Sequence, residues 1–495
     1  MAGPRNPGIC LVLTGPLLED CRRQLEECRQ YIDLAELRAD LLERSQWAGL
    51  NEFSRQAGLP LILTLRQPRD GGQWSGPAGE RRAFFQVALD GDWQWFDLED
   101  DQRLPDLETQ LVARGKSLVI SFHDFEGVAE GWSRRMQAIF APHIVAKAAV
   151  FPKTSADFLR FVAELTALDQ SKSGDGYVAL AMGGMGFSSR ILAARLGSRW
   201  TYASVPGQVA APGQTDPETL CQLYRFHEQT PHTPVYGIVG NPVFHTKSPW
   251  LHNPGLTVLG LPGTYVPFLV DNLKDFFATA DLLEVRGLSC TIPFKEEVIL
   301  HLEEQSPAVK ATGACNTLWR EPGGPWKGDN TDAPGFLTPL KRLCPDLEGL
   351  RATVVGTGGA ARGIVWALSQ AGVKVVVLGR TPANAQSLAL EFGVEWAPLG
   401  PESRLIVEDH PDLIIQTTSV GMGETAGQDP LDWYEFTGRE LAYDIIYAPR
   451  WTKFLTRAKE AGCRVLFGED MLIGQAYGQF RRFTGRDFPP EALKL

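Results

Sequence analysis

A lysine inside an apolar run and a histidine closing the run before it carry the clearest chemistry in this sequence. Lys147 sits in Val145-Ala-Lys147-Ala-Ala-Val150, and His123 in Ser121-Phe-His123-Asp-Phe125. An amine surrounded by apolar side chains can act as a nucleophile, and its natural reaction is imine formation with a ketone. A nearby histidine can serve as general acid and base. The bland readings are a structural lysine paired with Glu36 or Glu99, and a core histidine. Against them stand the charges at the ends of neighbouring runs. Glu36, Arg38 and Asp40 alternate, which places all three on one face of a strand; Arg66, Asp97 and Glu99 end two more runs, and Arg190 follows later. Guanidinium groups suit a carboxylate because they donate two parallel hydrogen bonds. Together these residues favour ketone chemistry on an anionic substrate.

A second constellation lies beyond residue 235. Val354-Val-Gly356-Thr-Gly358-Gly-Ala-Ala361 follows an apolar run and opens a helical pattern. Glycines there permit a tight turn and close approach of a pyrophosphate to a helix N-terminus, and Ala361 stands for the third glycine. The next run ends in Gly379-Arg380-Thr381. An arginine at that point accommodates a 2′-phosphate, where NAD enzymes place an acid, so NADP is the expected cofactor; a solvated loop arginine is the alternative. Upstream lie Thr246 and Ser248 two residues apart, then Thr291, Lys295, Asn316 and Asp332. Each alone fits turn chemistry or a surface lysine.

These residues need elements to hold them. Apolar β-rich runs cover 9–14, 32–38, 60–65, 93–98, 117–122, 143–150, 177–182 and 200–204, with helical patterns such as 156–168 and 188–196 between them. Eight strands at this spacing predict a (β/α)8 barrel, whose chemistry sits at the C-terminal ends of the strands. A proline-bearing polar stretch follows. Alternation then restarts with strands at 235–239, 265–269, 287–291 and 315–319. A third block has them at 352–355, 373–378, 413–417, 442–446 and 465–467. The expected fold is α/β: a barrel over 1–222, a linker over 223–234, a substrate lobe over 235–338, a Rossmann lobe over 339–465, and a C-terminal segment, 466–495, returning to the substrate lobe.

The composition fits small-molecule enzymes better than other classes. The chain has 495 residues and a net charge of -11. Residues 1–230 carry 24 basic and 29 acidic side chains and the rest 24 and 30, so neither part has the basic excess of a nucleic-acid binder. No apolar run is long enough to span a membrane. The eight cysteines show no zinc spacing, so no metal is expected, and they suit free thiols in a reducing compartment. The first apolar stretch reads as a strand rather than a signal peptide, and the residues before it are too few for a transit peptide. The expected location is cytoplasmic.

Residues 8–220 resemble the type I 3-dehydroquinate dehydratases. The resemblance rests on Glu36-Leu-Arg38, Thr64-Leu-Arg66 with Gly71-Gly72, Ser121-Phe-His123, Lys147, Met182-Gly183 with Ser189-Arg190, and Ala211-Pro-Gly-Gln214. It implies an imine on Lys147 and His123 as acid/base. Glu36, Arg38, Arg66, Arg190 and Gln214 would hold the substrate. Asp70 replaces a family Glu that supports the histidine, and its shorter side chain leaves contact open; Ala210 replaces a substrate-contacting Ser or Thr.

Residues 235–490 resemble shikimate dehydrogenase. Further matches are Thr417-Thr-Ser-Val-Gly-Met422, Tyr443-Asp-Ile-Ile-Tyr447 and Gly468-Glu-Asp-Met-Leu-Ile-Gly-Gln475. This implies Lys295 and Asp332 as the catalytic pair. Thr246, Ser248, Thr291, Asn316, Tyr447 and Gln475 would line the substrate pocket. NADP would meet Gly356, Thr357, Gly358, Gly359, Ala360, Arg380, Thr381 and Gly468. Gly379 replaces a family Asn, and Asn384 stands where a second basic residue is common. The two resemblances imply consecutive reactions: 3-dehydroquinate to 3-dehydroshikimate, then reduction to shikimate. A preference for quinate in the second half, or one half reduced to a scaffold, are the alternatives.

Overall fold

Side-chain alternation along the first eight strands builds a barrel with a dry floor and a charged middle. The computed structural model describes residues 6–169, 173–207 and 213–494, so Ala210 and Ala211 lie outside the described residues. The strands are β1 Gly8–Leu13, β2 Leu34–Arg38, β3 Leu61–Thr64, β4 Trp95–Glu99, β5 Ser117–Asp124, β6 Ile144–Val150, β7 Tyr177–Ala181 and β8 Trp200–Ala203. They form one parallel sheet in the order β7-β6-β5-β4-β3-β2-β1-β8. The ends meet through Ser198, whose hydroxyl accepts from Ala179 N (2.9 Å) and donates to Ala179 O (3.1 Å). Arg199 N donates to Tyr177 O at 2.8 Å.

Period two then sorts the interior into layers. Cys10, Leu34, Ile62, Trp95, Val119, Val145, Val178 and Trp200 pack as a buried apolar cluster. The Trp95 and Trp200 rings lie 5.5 Å apart. Two residues further along the strands come Val12, Glu36, Thr64, Asp97, Ser121, Lys147, Leu180 and Tyr202. The helix expected over 188–196 is shorter, Phe187–Ile191, because the chain turns there to bring Ser198 to Ala179. The helix expected over 156–168 spans Ser155–Thr166 and opens with a Thr154/Asp157 capping box.

The chain divides into two compact units, Met1–Val285 and Arg286–Leu495. In the first, beyond the barrel, β9 Val235–Gly240 pairs in parallel with β10 Thr264–Leu269. In the second, which holds β11 Val285–Cys290 from Arg286 onward, β11 runs antiparallel to β13 Thr317–Trp319, which runs antiparallel to β14 Lys327–Asp329; β14 runs parallel to β12 Glu304–Gln305. The short β12 and β14 carry no apolar run, so the sequence pattern did not mark them.

The rest of the second unit is a parallel six-stranded sheet. Its strands are β15 Arg351–Val355, β16 Lys374–Gly379, β17 Glu395–Pro398, β18 Leu413–Gln416, β19 Leu441–Asp444 and β20 Arg464–Leu466. The order β17-β16-β15-β18-β19-β20 is that of a dinucleotide fold. Apolar clusters cover both faces, one with Phe336, Ile364 and Leu388, the other with Val407, Phe454 and Leu455. Among the described residues no helix is long and apolar enough to cross a membrane.

The helices Asp332–Leu343 and Gly468–Thr484 touch backbone to backbone. A Cβ on Gly335 would lie 2.5 Å from Gln475 N, and one on Gly474 would lie 2.4 Å from Gly335 O. Only glycine on both sides allows this approach, and it delivers Gln475 to the polar cluster around Asp332. Gly335→Ala should force the helices apart at a cost of about 1–3 kcal/mol. A lowered calorimetric Tm, with reduction lost before barrel chemistry, is the expected result.

Candidate active sites

A charge buried in the barrel requires a partner; Glu36, Asp97 and Lys147 of the second interior layer and Arg66 from just beyond it satisfy each other. Lys147 Nζ donates to Glu36 Oε2 at 3.0 Å and to Asp97 Oδ2 at 3.1 Å. Arg66 Nη2 donates to the same Asp97 oxygen at 2.7 Å and to Glu36 Oε1 at 3.4 Å. Ser121 adds a hydroxyl donor to Asp97 at 2.6 Å. Burial would raise both carboxyls, but the two cations hold Asp97 and Glu36 below the ordinary range. Lys147 Nζ also lies 4.3 Å from the centre of the Tyr202 ring.

Lys147 therefore pairs with Glu36 and Asp97, and Glu99 is not its partner. Glu99 lies one layer nearer the rim, where Arg81 from the helix Ala78–Ala88 binds it. Asp97 is the principal residue that sequence reasoning left without a role. The signal was present, since Asp97 and Glu99 share a face of β4, but spacing alone could not choose between them.

His123 follows from the strand register. Ser121 pairs with Lys147 across β5 and β6, so His123 faces inward one layer above the lysine. Its Nδ1 donates to Asp70 Oδ1 at 3.2 Å, and Asp70 also accepts from His123 N at 3.2 Å. The shorter Asp70 thus reaches the histidine, because the turn Pro68–Asp70 brings its backbone close. Arg66 Nη1 lies 2.6 Å from Nε2, which acts as acceptor. Burial, then the Arg66 charge, push the imidazole down to about 4, while the Asp70 bond opposes them. At neutral pH the ring is an uncharged base.

Glu36, Arg38, Arg66, His123, Lys147, Arg190 and Gln214 all line one cavity of about 220 Å³. Arg38 is held by two bonds to Asp40, at 2.9 and 2.7 Å. Burial lowers the Arg190 guanidinium to about 10.

The second unit builds its site on Asp332, the first residue of the helix Asp332–Leu343. Lys295 Nζ donates to Asp332 Oδ2 at 2.6 Å, and Asn316 Nδ2 donates to Oδ1 at 2.8 Å. Asn316 Nδ2 also meets Gln475 Oε1 at 3.2 Å, and its Oδ1 accepts from Thr317 Oγ1 and Thr331 N. Gln479 binds Ser289 Oγ and Asn316 O. Sequence reasoning did not single out Thr331 or Gln479, since a buried hydroxyl or amide leaves no periodic signal. Thr291 and Tyr447 are half-buried on loops following β11 and β19. In the first unit, Thr246 Oγ1 lies 3.0 Å from Ser248 Oγ.

The turn after β15 fits a dinucleotide. Gly356 has φ +120, and a Cβ there would lie 2.5 Å from Thr417 Oγ1. Gly358 and Gly359 face open space, with nothing within 4 Å of a built Cβ, at the start of the helix Gly359–Gln370. Thr357, Ala360, Arg380 and Thr381 are half-buried or exposed around it. A side chain at Gly379 would come within 2.8 Å of Ala385 Cβ and 2.9 Å of Thr357 Cγ2, which accounts for glycine at this position. Gly468 packs against Ile445 O, where a Cβ would lie 2.3 Å away.

Four family models match the chain. They are type I 3-dehydroquinase over residues 9–231, the shikimate dehydrogenase substrate binding domain over 238–318, shikimate/quinate 5-dehydrogenase over 339–420, and the shikimate 5′-dehydrogenase C-terminal domain over 468–494. A chloroplastic protein of Arabidopsis thaliana named bifunctional 3-dehydroquinate dehydratase/shikimate dehydrogenase is 31 % identical over 489 residues, covering 93 % of this chain and 79 % of that one. A shikimate dehydrogenase (NADP+) of Oleidesulfovibrio alaskensis is 42 % identical over 261 residues, 52 % of this chain and 91 % of that one. The crystal structure of shikimate dehydrogenase from Aquifex aeolicus superposes with TM-score 0.50 at 35 % identity, over 54 % of this chain and 98 % of that one.

The His123 environment makes a signed prediction. With its folded value near 4 and an unfolded value near 6.5, the unfolded chain binds the extra proton first. Stability is unaffected above pH 6.5, then falls as pH drops through the window from 6.5 to about 4. The acid limb of barrel kcat/KM should lie near pH 4 rather than 6.5. Asp70→Asn should move it lower still, because the Asp70 bond raises the imidazole. A pH–rate profile on both proteins checks this.

Proposed function

Because the chain belongs to the bifunctional 3-dehydroquinate dehydratase/shikimate dehydrogenase family, we propose that it carries out both reactions with the residues described above. The observation that carries this reading is one barrel cavity into which Lys147, His123, Glu36 and three arginines converge. Lys147 attacks the ketone of 3-dehydroquinate and water leaves, giving an imine. The protonated imine stabilises the enamine formed when neutral His123 takes the adjacent proton. His123 returns that proton to the departing hydroxyl, and hydrolysis releases 3-dehydroshikimate. Arg38, Arg66, Arg190, Glu36 and Gln214 hold the carboxylate and hydroxyls.

In the second half Lys295, held by Asp332, hands a proton to the carbonyl oxygen of 3-dehydroshikimate as it becomes an alcohol. Thr246, Ser248, Thr291, Asn316, Tyr447 and Gln475 bind the substrate. Gly356 to Ala360, Thr381 and Gly468 cradle NADP, and Arg380 takes its 2′-phosphate. NADPH, when bound, supplies the hydride. The hydroxyl pair at Thr246 and Ser248 supports shikimate over quinate; side-by-side kinetics test it. We assign the barrel to 1–222, the linker to 223–234, the substrate lobe to 235–338, the Rossmann lobe to 339–465, and 466–495 to the segment returning to the substrate lobe. All eight cysteines are free thiols, which supports a reducing cytoplasmic setting, and the net charge of -11 supports small-molecule partners without nucleic acid.

NADPH oxidation started with 3-dehydroquinate alone tests both halves together, since a chain with one scaffold half stays silent. Borohydride with 3-dehydroquinate should place a reduced adduct on Lys147 by mass spectrometry, and Lys147→Ala should remove dehydration while sparing shikimate oxidation. Arg380→Asp should weaken NADP by about ten- to hundred-fold, at 1.4 kcal/mol per decade. An unchanged ratio of NADP to NAD efficiency would overturn the role of Arg380.

A further inference from the structure

The segment after β7 walls the barrel cavity through Met182 and Arg190. Arg190 rides on the helix Phe187–Ile191, only five residues long. A helix this short is not held by its own hydrogen bonds. On one side Ser189 fixes it, its hydroxyl accepting from Ala181 N at 3.1 Å and donating to Gly186 O at 2.7 Å. Another contact comes from a residue outside the barrel. The ring of Phe244 meets that of Phe187 edge-on, with centroids 5.2 Å apart and planes at 70°. The backbone at Gly184 is equally close: a Cβ there would lie 3.1 Å from Phe244 Cε2 and 2.9 Å from Leu269 Cδ2. Phe244 and Leu269 belong to the same compact unit as the barrel, yet lie past residue 231, where the type I 3-dehydroquinase match ends.

We propose that Phe244 is a positioning residue for dehydration: by bracing Phe187 it sets the helix that aims Arg190 at the substrate carboxylate. The inference rests on the reading of Arg190 as a carboxylate ligand. Phe187 and Arg190 are three residues apart, less than one helical turn, so a tilt at the first moves the second. Phe244 is 47 % exposed, so trimming it opens no core cavity and reads position rather than folding. It also stands two residues before Thr246. One loop thus serves the substrate hydroxyls of the second reaction and the anion clamp of the first.

Steady-state dehydration by the full chain tests this, with Phe244→Ala, Phe244→Leu, Arg190→Lys and Phe244→Ala/Arg190→Lys. Phe244→Ala should raise the KM for 3-dehydroquinate about two- to ten-fold, the worth of one aromatic edge contact. Its kcat should stay within about two-fold, because Lys147 and His123 are untouched. Phe244→Leu should recover part of the loss. On the Arg190→Lys background, Phe244→Ala should add nothing further. Full borohydride trapping at saturating substrate would show that each variant is folded. An unchanged KM in Phe244→Ala, or an equal rise with and without Arg190→Lys, would overturn the inference. If Arg190→Lys itself leaves KM unchanged, the carboxylate assignment falls, and the inference with it. If Arg190→Lys raises KM and Phe244→Ala does not, the inference falls alone.

Discussion

Removing one partner from a buried ion pair costs about 3–5 kcal/mol, and the barrel interior buries two cations against the same two carboxylates. Lys147 and Arg66 share Glu36 and Asp97. The quartet is neutral as a whole, which is why four charges can lie buried above an apolar floor. The constraint runs outward from there. The strands must hold register to within one residue, because a slip would turn Glu36, Asp97 and Lys147 toward the helices and bring Leu and Val inside.

Arg66 extends that constraint to the reactive base. One of its nitrogens neutralises the carboxylates and the other faces His123. The charge that stabilises the layer below therefore adds to burial in keeping the imidazole above it uncharged. Asp70 turns the ring by accepting from Nδ1, leaving Nε2 as the basic nitrogen. Electrostatic stability of the barrel interior and the protonation state needed for proton abstraction share one guanidinium, so the two properties cannot be tuned separately.

Much of this was legible in the sequence, for identifiable reasons. Period two placed Glu36 and Arg38 on one face of β2, and the Lys147 run could only be an interior strand. The glycine turn after β15 and Arg380 after β16 follow from local backbone demands. Three things were not legible. The choice of Asp97 over Glu99 depends on which layer each acid occupies, and that is fixed by strand stagger rather than by spacing. Contact between Asp70 and His123 depends on how far a turn carries a backbone, which side-chain length does not reveal. The strands Glu304–Gln305 and Lys327–Asp329 pair on their neighbours' hydrogen bonds and carry no hydrophobic pattern of their own.

The two lysines differ in setting as their proposed tasks require. Lys147 must become bonded to carbon, so its nitrogen has to be held at one place in the cavity. Two carboxylates at 3.0 and 3.1 Å fix that nitrogen, and near-complete burial restrains the rest of the side chain. Lys295 must give up a proton once per turnover and regain it. It has one carboxylate partner and keeps 23 % of its side chain exposed, which leaves a route to solvent. Asp332 is nearly sealed, and Asn316 fixes its second oxygen, so the lysine is oriented without being enclosed. Two sites that begin from the same lysine–carboxylate contact thus differ in how the nitrogen is held: two carboxylates fix and bury it in the barrel, and one carboxylate leaves it in touch with solvent in the other.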